Sequence, residues 1–203
     1  MLKKFVLGGM TALVLAACGG EGGSASSSTP AQSANASGSL IERINNKGTI
    51  TVGTEGTYAP FTYHDKDGKL TGYDVEVTRA VADKLGVKVE FKETQWDSMM
   101  AGLKAGRFDV VANQVGLTSP ERQATFDKSE PYSWSGAVLV ARNDSNIKSI
   151  DDIKGIKTAQ SLTSNYGEKA KAAGADLVPV DGLAQSLTLI EQKRADATLN
   201  DEL

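Results

Sequence analysis

The sequence predicts an α/β chain of two lobes that face each other across a ligand cleft. From Leu40 onward short β-rich runs alternate with stretches of helical periodicity, and their order returns once past Gly136. One stretch is echoed as well, Arg107-Phe-Asp109-Val-Val-Ala-Asn113 against Arg194-Ala-Asp196-Ala-Thr-Leu-Asn200, each time after a predicted helix. Two lobes of one architecture would set Asn113 and Asn200 at equivalent strand ends. In open α/β sheets, ligands bind at those carboxyl ends.

In chain order, Ile50 to Val52 reads as a strand and Phe61 to Leu70 as a hairpin turning at Asp65-Lys66-Asp67-Gly68. That turn lacks the later ligands and closing glutamate of a calcium loop, so no metal is expected there. Asp74 is placed to N-cap a helix with the apolar stripe Val77, Val81 and Leu85, stopped by Gly86. Val87, Val89 and Phe91 alternate as a strand. Trp96, Met99, Met100 and Leu103 share one helical face ended by Gly106, and Phe108 to Ala112 is the next strand. Past Gly136 the pattern predicts an extended run over Ala137–Ala141, a strand over Ile156–Gln160 and a helix over Asn165–Ala173. A strand over Leu177–Val180, a helix marked by Leu183, Leu187 and Ile190, and a strand over Ala195–Leu199 follow.

With 203 residues and 40% apolar side chains the chain can bury a substantial core. Its 22 basic against 25 acidic residues leave no surplus of positive charge for phosphates, which argues against nucleic acid as a partner. One cysteine, Cys18, and one histidine, His64, exclude disulfide frameworks, Cys/His zinc clusters and any Cys–His catalytic pair that does not use Cys18.

At the N-terminus, Lys3 and Lys4 precede an apolar run from Phe5 to Ala17. The run is short of the roughly 20 residues a membrane-spanning helix needs and suits an export signal. Its ending, Leu15-Ala16-Ala17-Cys18, resembles the lipobox of bacterial lipoproteins, which implies cleavage before Cys18 and acylation of its thiol and amine. Gly19 to Ser39 is nearly all Gly, Ser, Ala, Thr, Asn and Gln, too polar to fold, and reads as a disordered tether.

Several segments carry candidate chemistry. Val115-Gly116-Leu117-Thr118-Ser119-Pro120-Glu121-Arg122 follows a strand and offers backbone N–H groups, hydroxyls and a guanidinium able to grip a carboxylate; a helix N-cap followed by a surface arginine fits equally. Gln160 to Asn165 opens a helix where an anion could dock, or where Ser and Thr merely cap. Asp201 follows a strand, either facing the cleft or standing in a solvated loop. Glu55, Tyr58 and Phe61 sit in a loop around Pro60, and Trp96 has spacing that suits ligand contact or core packing alike.

Gly53-Thr-Glu-Gly-Thr-Tyr58-Ala-Pro-Phe61, Gly68-Lys-Leu-Thr-Gly-Tyr-Asp74 and Phe126-Asp-Lys-Ser-Glu-Pro-Tyr132 resemble the extracellular amino-acid-binding proteins of bacterial ABC importers. Gly53 to Tyr58, Trp96-Asp97 and Asn113-Gln114-Val115 are most similar to the cystine- and cysteine-binding branch. The resemblance runs from Leu40 to Leu203 and implies a type II periplasmic-binding-protein fold whose lobes hinge shut on the ligand. It implies that Tyr58 and Trp96 sandwich the ligand side chain, with Phe61 bordering the pocket and Glu55 at the side chain's polar end. Asn113 is placed in the same pocket. Arg122 grips the α-carboxylate, helped by Gly116, Leu117, Thr118, Ser119, Thr163 and Ser164, and Asp201 takes the α-ammonium. The stretch from Asn113 to Arg122 is one residue longer than in the cystine branch, so Thr118 and Ser119 compete for one role.

The expected organisation is a lipoprotein signal peptide over 1–17, a lipidated Cys18 and tether over 18–39, a first lobe over 40–135 and a second over 136–203. The second lobe reads as incomplete, because relatives continue past this point, and the chain ending at Leu203 is expected neither to fold cooperatively nor to bind tightly alone. The expected function is a monomeric, lipid-anchored periplasmic receptor that delivers cystine or cysteine to an ABC importer's membrane subunits, with no cofactor, metal or catalysis. A dehydratase or lyase on the same scaffold, with Glu55 as general acid, and a surface lipoprotein without a transport role are the alternatives.

Overall fold

The structure, a computed structural model, describes residues 38–202. The predicted signal segment, Cys18 and nearly all of the tether lie outside the described residues.

A capping box starts the fold. Ser39 Oγ accepts from Glu42 N and Glu42 Oε2 accepts from Ser39 N at 2.7 Å, launching α1 (Leu40–Lys47), which Gly48 ends with φ 65°. Strand β1 (Thr49–Thr54) follows, then a small antiparallel sheet of β2 (Thr57–Tyr58), β3 (Thr62–His64) and β4 (Leu70–Thr71). The hairpin turns where predicted, and Asp65 Oδ1 serves the turn itself, accepting from Asp67 N and Lys69 N, both at 2.9 Å.

Helix α2 (Tyr73–Leu85) ends at Gly86 as predicted, but Asp74 does not cap it. Gly72 is the N-cap, and the first free helical N–H groups donate to loop carbonyls, Tyr73 N to Pro60 O and Asp74 N to Phe61 O. The predicted stripe is also displaced. Val75, Thr78 and Ala82 face inward, while Val81 and Leu85 are exposed.

Strand β5 (Lys88–Glu93), helix α3 (Trp96–Lys104) and strand β6 (Val110–Val111) complete a parallel sheet ordered β5-β1-β6. The predicted strand Phe108–Ala112 shortens to Val110–Val111; Phe108 turns in to fill the space beside Gly53 and Gly102. Ile44, Ile50, Val52, Ala82 and Ala112 form this lobe's core. Helix α4 (Pro120–Thr125) and an irregular crossover lead to the second sheet.

The second sheet contains β7 (Ala137–Ala141), β8 (Lys157–Gln160), β9 (Asp176–Pro179) and β10 (Ala197–Asp201), in the order β7-β10-β8-β9. Helices α5 (Asn165–Ala172) and α6 (Leu183–Glu191) connect the parallel strands β8, β9 and β10, while β7 adds antiparallel to β10. On α6 the buried residues are Ser186, Leu189 and Ile190, and Leu187 faces outward, contrary to its predicted place in the stripe.

Setting β7 aside, β9-β8-β10 repeats β5-β1-β6 in order and direction. The sequence echo has a structural counterpart: Asp109 N donates to Thr51 O at 2.9 Å, and Asp196 N donates to Lys157 O at 2.8 Å. In each lobe the aspartate that precedes the third strand bonds to a carbonyl in the first half of the first.

Candidate functional site

The carboxyl ends of β1, β6, β8 and β10 converge on one cleft that encloses about 50 Å³. Of the candidates, Glu55, Tyr58, Trp96, Asn113, Ser164 and Asp201 line it. They come from both lobes.

On the first lobe, Glu55 follows the last residue of β1 and Asn113 lies two residues beyond β6, the neighbouring strand. Asn113 is fully buried and joins the two strand ends: its Oδ1 accepts from Glu55 N at 2.8 Å and its Nδ2 donates to Glu55 Oε2 at 2.6 Å. Burial raises the Glu55 pKa, the Asn113 amide draws it part of the way back, and the Asp97 charge raises it further. Gly182, at the head of α6, sits so close that a Cβ there would lie 3.1 Å from Glu55 Oε1. Behind Glu55, Thr62 Oγ1 accepts from Thr54 Oγ1 at 2.8 Å and from Gly56 N at 3.1 Å, fastening this loop to the hairpin.

Gln114 is held in the left-handed region, φ 49°, by the buried Asp74. Asp74 Oδ2 accepts from Gln114 N at 2.7 Å and Oδ1 from Gln114 Nε2 at 2.6 Å, while Ser133 Oγ donates to Gln114 Oε1 at 2.9 Å. Burial raises the Asp74 pKa, and the Gln114 donors oppose the rise. The carboxylate assigned to a cap is thus the anchor of a cleft-lining segment.

From the second lobe, Asp201 ends β10. Its Oδ1 accepts from Tyr166 Oη at 2.5 Å, and its Oδ2 lies 2.6 Å from Tyr58 Oη across the lobe boundary. Asn200 Oδ1 accepts from Asp201 N at 3.0 Å and also lies 2.5 Å from Tyr58 Oη. Burial raises the pKa values of both tyrosines and the Asp201 charge raises them further, so both phenols stay protonated donors. Gln160, at the end of β8, is fixed by donating to Leu199 O at 3.2 Å. Ser164 N-caps α5, accepting from Gly167 N at 2.9 Å, and lines the cleft as well.

The other candidates stand apart from the cleft wall. Arg122 is buried in the first turn of α4, donating from Nη1 to Gly116 O at 3.0 Å and from Nη2 to Thr163 O at 2.9 Å, with its guanidinium 5.4 Å from the Trp96 ring centroid. It is no surface arginine. Burial lowers its pKa, yet a guanidinium remains charged. In the segment from Gly116 to Ser119, the Gly116 and Leu117 carbonyls accept from Arg122 and Gln123, and the Ser119 hydroxyl caps α4 by accepting from Arg122 N. Thr118 is exposed, and neither it nor Ser119 lines the cleft. Thr163 turns its N–H and hydroxyl to Asp97. Phe61 braces Tyr58 from behind, ring centroids 5.2 Å apart.

The sequence pointed to Gln160, Ser161 and Asn165 only as parts of an anion-docking segment and to Asn200 only as a strand end, and it gave no cleft role to Gln114, Tyr166, Leu183 or Ser186. A signal existed for Asn200, the echo of Asn113; Tyr166 carried none, since it meets Asp201 from 35 residues away. No cluster of three or more His, Cys, Asp or Glu that could hold a metal is present among the described residues, and none of their helices is long and apolar enough to cross a membrane.

Two open sheets meeting at their carboxyl ends over a small polar cleft make the architecture of extracytoplasmic solute-binding proteins, the type II periplasmic-binding-protein fold. The profile of the bacterial extracellular solute-binding proteins, family 3, matches residues 50–202, and the chain belongs to that family. It is 60% identical over 168 residues to the L-cystine-binding protein TcyA of Bacillus subtilis, an alignment covering 82% of this chain and 62% of that protein. The chain thus spans under two thirds of that relative's length. An ancestral amino acid-binding protein, a precursor of cyclohexadienyl dehydratase, is 35% identical with TM-score 0.75 over 80% of this chain and 74% of its own. The crystallised L-cystine solute receptor of Neisseria gonorrhoeae, in its unliganded open conformation, is 96% identical over 82% of this chain and 70% of its own, with TM-score 0.49.

Proposed function

We propose that the chain is the solute-capturing lipoprotein of an amino-acid ABC importer and that its solute is L-cystine. The charge of the cleft carries this reading. Glu55 from one lobe and Asp201 from the other face it, and no lysine, arginine or histidine lines it among the described residues. Two carboxylates call for a ligand with two ammonium groups. Cystine has one at each end, cysteine a single one, and the kinship with TcyA supports the same choice.

In this reading Asp201 takes one ammonium and Glu55 the other, and the Tyr58 and Trp96 rings flank the disulfide-bearing chain between them. Asn113 orients Glu55. Arg122 stands behind the cleft wall with two of its five N–H donors on the Gly116 and Thr163 carbonyls, and its three others are the donors this reading assigns to a ligand carboxylate once the solute is seated. The lobes hinge shut on the solute and present it to the importer's membrane subunits, outside the cytoplasm, with Cys18 carrying the lipid anchor and the chain acting as a monomer. No bond is made or broken; the raised pKa of Glu55 suits a general acid, but the polar group bonded to it is an amide, not a second acid or base.

Calorimetry with cystine, cysteine and glutamine, run beside an assay for released products, tests this. Cystine should bind with the highest affinity and be recovered intact; tighter binding of cysteine or glutamine would refute the two-ammonium argument, and a product would revive the dehydratase. Mass spectrometry of membrane-extracted protein should find Cys18 acylated at the N-terminus, and an unmodified soluble product would refute the anchor.

A further inference from the structure

We infer that Asp97, which the binding scheme does not use, is the positioning residue that holds the two lobes together beside the cleft; only the kinetic consequence of this role rests on the solute-binding reading. Asp97 stands in the first turn of α3, immediately after Trp96, on the first lobe. Its Oδ1 accepts from Thr163 Oγ1 at 2.7 Å and from Thr163 N at 3.1 Å, both on the second lobe. The third polar atom of Thr163, its carbonyl, accepts from Arg122 Nη2 at 2.9 Å. Two first-lobe residues therefore hold one threonine at its N–H, hydroxyl and carbonyl.

The local structure leaves those atoms to the other lobe. Ser164 caps α5 and accepts from Gly167 N, so the cap makes no use of Thr163 N or Oγ1. On the other side, Gln95 Nε2 donates to Asp181 Oδ2 at 3.1 Å, a second link along the same edge. The Arg122 guanidinium lies 5.4 Å from the ring centroid of Trp96, the residue next to Asp97, so the bonds to Thr163 come from one patch of the first lobe. A contact between lobes does nothing for either lobe's own fold. Its free energy is released when the lobes part, so it opposes opening and slows escape of the solute more than it affects entry.

The test uses the whole chain with spin labels at the exposed positions Lys84→Cys and Lys171→Cys, in a Cys18→Ser background so that no other thiol reacts. Asp97→Ala should lengthen and broaden the label-to-label distance and raise the cystine dissociation rate about tenfold, the association rate changing less than about threefold. Asp97→Asn keeps an Oδ1 acceptor and should stay within about threefold of the parent in both. Thr163→Val, which loses only the hydroxyl, should fall between, and should add nothing once Asp97 is Ala. Unchanged distances in Asp97→Ala, or Asn as damaging as Ala, would overturn the inference. A parent chain that binds no amino acid would refute the solute-binding reading, while the distance comparison would still decide the role of Asp97.

Discussion

The hydroxyl of Tyr58 lies 2.6 Å from a carboxylate oxygen of Asp201, although the two residues are 143 positions apart and belong to different lobes. Asp201 has a second phenol at its other oxygen, from Tyr166. Each oxygen has two acceptor sites, so the carboxylate held by both tyrosines can still receive an ammonium. Hydrogen bonds to a charged group are worth about 1.5 to 3 kcal/mol. Tyr166→Phe should therefore destabilise the chain by about 1 to 3 kcal/mol in urea unfolding. Tyr58→Phe should do so by less, because its bond forms between lobes; equal losses would show that the lobes unfold as one unit.

Arg122 separates charge from geometry. Lysine keeps the charge but cannot reach the Gly116 and Thr163 carbonyls and a ligand carboxylate together. Arg122→Lys and Arg122→Ala should both weaken cystine binding by about 2 to 5 kcal/mol, measured calorimetrically. Full binding by the lysine variant would mean that the guanidinium fork is not used.

The raised pKa values of Glu55 and Asp74 fix the sign of a pH dependence. Above the ordinary carboxylate range the folded chain holds protons that the unfolded chain has released. Stability should therefore fall as pH climbs from that range through the raised values, and level off above them. Ligand affinity should run the other way, since an ammonium needs Glu55 ionised. Glu55→Gln should remove its share of both trends, and opposite slopes in the parent, seen by thermal unfolding and titration, are the check.

Gly72 is held at φ 119°, and a Cβ there would lie 2.3 Å from the Phe61 carbonyl oxygen. That carbonyl accepts the Asp74 N–H at the head of α2, so neither partner can yield without losing the cap. Gly72→Ala should cost at least about 2 kcal/mol in urea unfolding with the m-value unchanged; a neutral substitution would show that this loop is soft.

The strand and helix order was legible because it rests on local signals: Gly86 and Gly106 as stops, and β-branched runs such as Thr49–Thr54. What failed was the choice of helix face. On α2 Val81 and Leu85 advertise an apolar stripe, yet Val75, Thr78 and Ala82 are the buried face, and a threonine and an alanine in it give the hydrophobic pattern little to mark it with. The cleft was legible where candidates fall at strand ends, as Glu55, Asn113 and Asp201 do. It was not legible where a residue owes its place to a distant partner, as Asp74 does to Gln114 and Tyr166 to Asp201.

The tie from Asp74 through Gln114 to Ser133 has a mechanical consequence. Ser133 belongs to the strip of chain that passes from one sheet to the other, and Tyr73 Oη donates to Tyr132 O beside it at 2.7 Å. That strip is riveted to the first lobe at successive residues, while Glu202 N donates to Gly136 O at the edge of the second. Ser135 Oγ donates to Glu202 O at 3.1 Å as well, so the crossover passes from first-lobe to second-lobe partners between Ser133 and Ser135. One chain of bonds thus runs from that point of passage through Gln114 to the adjoining Asn113 and on to Glu55, so the crossover and the cleft acid share a single support.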